Sequence, residues 1–131
     1  MVATGPEVAR RPALIDVKIA QGHLDAGLFV APDLAGFAGH FPDFPILPGV
    51  VQLDWAVHYA REFLLIEEPV LRVERLKYTC PIIPNTRLQL NLCYDSRKGA
   101  VDFRFYRYAD DSNEVLFSQG RLVYATEPVL A

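Results

Sequence analysis

The chain is short of the residues that build disulfide scaffolds, metal centres and membrane spans. Its two cysteines, Cys80 and Cys93, form no CxxC pair. Two thiols make no disulfide framework in a domain long enough to build its own core, so a reducing, cytoplasmic setting is expected. There are three histidines in 131 residues. His23 and Cys93 are the partners that could be imagined beside His40 around a metal, but no pair has helical or finger spacing, so no metal and no cofactor are expected. The most apolar stretch, Val50 to Ile66, is interrupted by Gln52, Asp54, His58, Arg61 and Glu62. The N-terminus has no uninterrupted apolar run of the signal-peptide kind, and no membrane association is expected. With 16 acidic against 13 basic residues the net charge is −3. Without a basic field, nucleic acid is not an expected partner.

What is present suffices for one domain. Half the residues are apolar, and a chain of this length buries about two-thirds of its unfolded surface. Residues 1–12, with Gly, Pro and two arginines but no periodicity, read as a flexible N-terminal tail, 13–126 as a single domain and 127–131 as a C-terminal tail. Alternating apolar residues predict strands over Ile15 to Ala20 and His23 to Ala31, joined at Gln21-Gly22. A long helix follows from Val50, apolar around most of its circumference, and ends before Pro69. Four further strands are predicted: Val70 to Thr79, Thr86 to Tyr94, Ala100 to Tyr108 and Val115 to Tyr124. Turns are marked by Pro81…Pro84-Asn85, Ser96 to Gly99 and Asp110 to Asn113. Two strands, one helix and four strands predict an α+β protein with an antiparallel sheet of about six strands curled around one long central helix, a hot-dog architecture.

Between the second strand and the helix lies His40-Phe41-Pro42-Asp43-Phe44-Pro45-Ile46-Leu47-Pro48-Gly49. Three prolines in seven positions restrict the connection, since each fixes its own φ and confines the residue before it. His40 is thereby held, and neutral imidazole is available as a base near neutral pH. Gly49 stands where the first unpaired N–H groups of the helix point outward, which suits a developing negative charge. Asp54, flanked by Leu53, Trp55, Ala56 and Val57, reads as a buried carboxylic acid able to donate a proton. From Gly49 to Asp54 is about 7.5 Å along a helix and roughly 140° around it. The two groups face different directions, so a site using both would be shared between two subunits.

The segment Gly39-His40-Phe41-Pro42…Pro45-Ile46-Leu47-Pro48-Gly49-Val50…Leu53-Asp54 closely resembles the active-site motif of the 3-hydroxyacyl-(acyl-carrier-protein) dehydratases, a hot-dog-fold family. Leu53-Asp54-Trp55 resembles the subgroup of aryl-polyene-type pathways. The resemblance implies a hydro-lyase that converts carrier-bound 3-hydroxyacyl thioesters to 2-enoyl thioesters in a homodimer or an assembly of dimers. It implies His40 and Asp54 as the catalytic pair, the Gly49 N–H on the thioester carbonyl, and Phe41 and Pro48 in support. Three positions depart from the family's pattern. Asp43 stands for a usual glycine, Asn85 follows Pro84 where Gly-Asp is common, and His58 replaces a usual glutamine one turn after Asp54, to which it could hydrogen-bond.

Other readings of the same residues remain open. His40 could be a structural loop histidine, Asp54 could join His58 and Arg61 in a solvated stripe, and the three prolines could form a polyproline II ligand. The clusters Arg72/Arg75/Lys77, Arg97/Lys98 and Arg104/Arg107 read either as solvated strand faces or as a docking patch for an acidic carrier protein. A hot-dog acyl thioesterase and a noncatalytic partner subunit of a mixed dehydratase dimer are the alternative functions.

Overall fold

The computed structural model describes residues 11–34, 37, 45–109 and 113–125. His40, Phe41, Asp43 and most of both expected tails lie outside the described residues. Six strands form one antiparallel sheet: β1 (Ala13–Ala20), β2 (His23–Val30), β3 (Val70–Tyr78), β4 (Thr86–Asp95), β5 (Ala100–Tyr108) and β6 (Glu114–Tyr124). Their order is β1-β2-β4-β5-β6-β3, with one α-helix among the described residues, α1 (Gly49–Leu64), between β2 and β3. This is the expected hot-dog arrangement. No helix among the described residues is long and apolar enough to cross a membrane.

Local chemistry explains most of the boundaries. Gln21 and Gly22 both have positive φ, 42° and 81°, the two-residue turn whose twist matches a hairpin. The helix stops at Leu65, which adopts φ 59°, ahead of Pro69 as expected. The reversal lets Ile66 fold back into the core. Asn85, with φ 65°, supplies the left-handed residue that glycine commonly provides, because its short polar side chain tolerates that region.

Strand alternation puts Leu24, Ala26, Leu28 and Val30 of β2, Leu88, Leu90 and Leu92 of β4, and Val101, Phe103 and Phe105 of β5 in the core. Against them α1 turns Gln52, Trp55, Ala56, Tyr59 and Ala60. Trp55 is completely enclosed and meets the Phe105 ring edge-on, with centroids 6.3 Å apart. The helix is covered on one face only, and Val50 remains 72% exposed.

The outer face of the sheet is polar, and cross-strand neighbours share a face. One row runs His23, Cys93, Asp102, Arg121, Glu74. His23 and Cys93, dismissed as ligands on sequence spacing, are therefore directly opposite one another, although no group of three potential ligands exists among the described residues. In the same row Arg121 pairs with Asp102 at 2.8 Å. Arg72 bonds Glu74 at 2.7 Å, and Arg104 pairs with Glu114. Three of the basic groups thus lie against local carboxylates, and of the expected clusters only Arg75, Lys77, Arg97, Lys98 and Arg107 have no ion pair among the described residues.

The edge strand β3 departs from simple alternation. Its register with β6 shifts between Val70 and Arg72 and again between Glu74 and Lys77, and Arg75 has φ 55°. Each shift inserts a residue, a β-bulge that changes which face the following side chains occupy. Val70, Val73 and Tyr78 consequently lie opposite the buried Tyr124, Leu122 and Ser118. All three share the helix-facing side despite spacings of three and five.

Two outcomes test this packing. A Cβ on Gly120 would stand 2.8 Å from Cε2 and 3.0 Å from Cζ of the enclosed Phe103 ring. Gly120→Ala should therefore cost about 1–3 kcal/mol in denaturant unfolding, and an unchanged midpoint would contradict it. Burial pushes the phenols of Tyr59 and Tyr124 up to about 12. They stay neutral in the folded chain while an unfolded chain ionises near pH 10. Stability should be unaffected by these groups below pH 10 and fall as pH rises toward 12, with the tyrosinate absorbance of these two phenols appearing together with unfolding.

Candidate active site

Pro48 caps α1 with extended backbone, φ −62° and ψ 146°, and offers no side-chain cap. Its carbonyl accepts from Val51 N–H at 3.1 Å and Gln52 N–H at 3.3 Å. The N–H groups of Gly49 and Val50 have no acceptor among the described residues, as the first turn of a helix dictates. This turn opens into a cleft of about 480 Å³ lined by Ile46 to Val50, Gln52 and Tyr78 to Pro81.

A relay of hydrogen bonds fixes the cleft. Ser118 of β6 donates to Gln52 Oε1 at 2.6 Å, and Gln52 Nε2 reaches the Leu47 carbonyl at 3.4 Å. Leu47 N–H in turn donates to the Ile82 carbonyl at 2.8 Å. The bulged Phe117 carbonyl accepts from Thr79 N–H at 2.8 Å and Cys80 N–H at 3.3 Å. Sheet, helix, pre-helix segment and β3–β4 connection are thereby held together. Gln52 and Ser118 are the buried polar side chains among the described residues, and burial without partners would be costly. Sequence reasoning treated Gln52 only as an interruption of the apolar run. A helical wheel places it on the same face as Ala56, which was a usable signal.

Tyr78 was also missed. A Cβ added to Gly49 would lie 2.6 Å from the Tyr78 hydroxyl oxygen and 2.8 Å from its Cε1. The phenol occupies the space a side chain at position 49 would need. Tyr78 is 46% exposed overall, and burial of its ring raises the phenol's pKa. No sequence signal could place it here, because its orientation depends on the β3 bulges.

The helical acid departs from expectation. Asp54 is exposed in the single chain and has no hydrogen-bond or ionic partner among the described residues. At about 100° per residue it falls halfway round the helix from the Gln52–Ala56 stripe, so apolar neighbours in sequence do not enclose it. It does not line the cleft, whereas Gly49 and Pro48 do. His58, expected near Asp54, bonds instead to Glu62 at 2.8 Å and stands edge-on to Tyr59. Glu62, one methylene longer than Asp54, reaches back one turn to meet it.

The relay predicts coupling. Ser118→Ala and Gln52→Leu should each destabilise by about 1–3 kcal/mol, because each strands the other's buried polar atom. The double variant should cost clearly less than their sum. Strict additivity in unfolding measurements would show that the contact carries no energy.

Comparison with known proteins agrees with this fold. A family described as ApeI-like, ApeI dehydratase, matches residues 16–121. The dehydratase heterocomplex ApeI:P from Xenorhabdus doucetiae is 32% identical with a TM-score of 0.77, covering 86% of this chain and 96% of that one. An uncharacterized protein from Erwinia carotovora subsp. atroseptica is 34% identical with a TM-score of 0.76, covering 87% and 95%. The dehydratase domain of the polyketide PpsC from Mycobacterium tuberculosis, 21% identical with a TM-score of 0.70, covers 91% of this chain and 46% of that one and shares the fold. The 3-hydroxyacyl-[acyl-carrier-protein] dehydratase FabZ of Solibacter usitatus is 29% identical over 73 residues, 50% of this chain and 45% of that protein. The matched part spans about half the length of such curated relatives. With a hot-dog sheet, a Pro-Gly helix start opening on a cleft, and a family match across most of its length, the chain belongs to the ApeI-like dehydratases, within the hot-dog 3-hydroxyacyl-carrier dehydratase family.

Proposed function

We propose that this chain removes water from 3-hydroxyacyl thioesters carried on an acyl carrier protein, giving 2-enoyl thioesters. The observation that carries the reading is the unpartnered first turn of α1, open to the cleft at Gly49, in a member of a dehydratase family. His40 takes the C2 proton, the Gly49 N–H polarises the thioester carbonyl, and Asp54 protonates the departing hydroxyl. Pro48, as the cap, and Phe41 are supporting residues. His58 is a supporting residue at one remove, since it bonds Glu62. We place the activity in the cytoplasm, where the thiols of Cys80 and Cys93 persist.

The reading requires a dimer. Asp54 faces away from the cleft of its own chain, so it would serve the cleft of a second copy. Leu71, Leu76, Tyr78, Val50 and Ile83 are exposed large apolar residues on or near β3 and the helix start. An edge strand with such residues suits pairing with another subunit. The ApeI:P heterocomplex among the similar structures favours a second reading, in which this chain is one subunit of a mixed dimer. A carrier's acidic surface would be met by Arg75 and Lys77, the charges of the β3 cluster that make no ion pair among the described residues.

Complementation tests the shared site. His40→Ala and Asp54→Ala proteins should each lose about 10²- to 10⁴-fold in dehydration. Refolded together, half the dimers are mixed, each with one intact and one doubly broken site, so about a quarter of wild-type activity should return. No recovery in dimers shown to have exchanged chains would put both groups in one chain. Free acid formed as fast as 2-enoyl thioester would replace dehydration with thioester hydrolysis.

A further inference from the structure

We propose that the Tyr78 hydroxyl is a second hydrogen-bond donor, beside the Gly49 N–H, to the carbonyl oxygen of the bound thioester. The proposal rests on the dehydratase reading above and adds a side chain to its site. Three independent observations carry it.

The first is register. Tyr78 lies directly opposite Ser118, whose side chain is buried against Gln52 of the helix. Opposed residues share a face, so Tyr78 projects toward the start of α1. It does so only because the bulge at Glu74 to Lys77 inserts a residue, with Arg75 held at φ 55°. Non-glycine residues are strained in that region, and such strain persists where the surrounding structure holds it and re-aims a side chain.

The second is contact. The phenol end of the ring fills the volume that a Cβ at position 49 would take, its oxygen 2.6 Å and its Cε1 2.8 Å from that point. Glycine is therefore required at position 49 for the hydroxyl to stand beside the backbone of the first helical residue. The third is an unused donor. The Tyr78 hydroxyl has no hydrogen-bond partner among the described residues, although its ring lines the cleft together with Ile46, Leu47, Pro48 and Pro81. These apolar walls strengthen any hydrogen bond made between them. A phenol is protonated, and so a donor, throughout the neutral range, and burial of this one only raises its pKa further.

In the reaction, the C2–H bond breaks and its proton passes to the base. The electron pair forms a C1=C2 bond as the carbonyl π pair moves to oxygen, which becomes an enolate. Two donors, one backbone and one phenolic, then meet the charge as it develops. The pair returns as the C2=C3 bond forms, and the C3 hydroxyl leaves as water with the proton of the acid. Tyr78 exchanges no proton in this sequence.

The test uses the full chain and a 2-enoyl-pantetheine thioester with an isotopically labelled carbonyl, read by difference infrared spectroscopy alongside dehydration kinetics. Wild type should lower the carbonyl frequency on binding. Tyr78→Phe, which keeps the ring, should retain the thermal midpoint and return the frequency part-way to its free value. It should also lower kcat by about 10²-fold with little change in KM. Gly49→Ala should displace the half-exposed phenol rather than disrupt the core. It should retain the midpoint and produce the same spectral loss. If wild type binds or turns over thioester and Tyr78→Phe matches it in frequency and kcat, the hydroxyl is not a donor and the dehydratase reading stands. If wild type neither turns over 3-hydroxyacyl thioester nor perturbs the enoyl carbonyl, both fall.

Discussion

Among the described residues, one helix covers the inner face of a six-stranded sheet. Everything else in the molecule answers to that constraint. Because α1 has only one stripe to bury, its core-facing positions carry Trp55 for bulk and Ala56 and Ala60 for close approach. The sheet supplies leucines and phenylalanines from β2, β4 and β5 to meet them. The opposite stripe, Val50 to Asp54 to Arg61, stays outside, and that exposure makes a second subunit part of the proposed chemistry.

Where the helix begins, packing gives way to polar linkage. Gln52 is buried, yet its amide has an acceptor in the Leu47 carbonyl and a donor in Ser118. Both bonds act on the turn that carries Gly49. A buried polar pair of this kind contributes little net stability but makes any other arrangement costly. It therefore sets the position of the helix start relative to β6. The β3 bulges act on the other wall, bringing Tyr78 against the same glycine. The cleft is thus defined by two devices, one fixing the backbone donors and one aiming a phenol beside them.

Surface charge follows a different rule. Clusters that look basic along the chain are interleaved with carboxylates across the sheet, as in the row His23, Cys93, Asp102, Arg121, Glu74. Exposed pairs of this sort add little to stability. Their larger effect is to cancel long-range field, which leaves Arg75 and Lys77 as the β3 charges without an ion pair among the described residues.

Periodicity along this chain was enough to determine the strands, the helix and their order, because alternation and helical spacing are local consequences of which face each residue buries. The motif from His40 to Asp54 likewise announced a family through residue identity and spacing alone. Tertiary structure alone decided which way the site residues point. Asp54 has apolar neighbours in sequence, yet a helix turns neighbours to different faces, and it is exposed. His58 had two carboxylates within one turn and took Glu62. Gln52 gained its role from Ser118, 66 residues away. Tyr78 reached Gly49 because the residue inserted between Glu74 and Lys77 returned it to the helix-facing side after the first insertion had switched the alternation, and a bulge is a property of pairing between strands, invisible in either strand by itself.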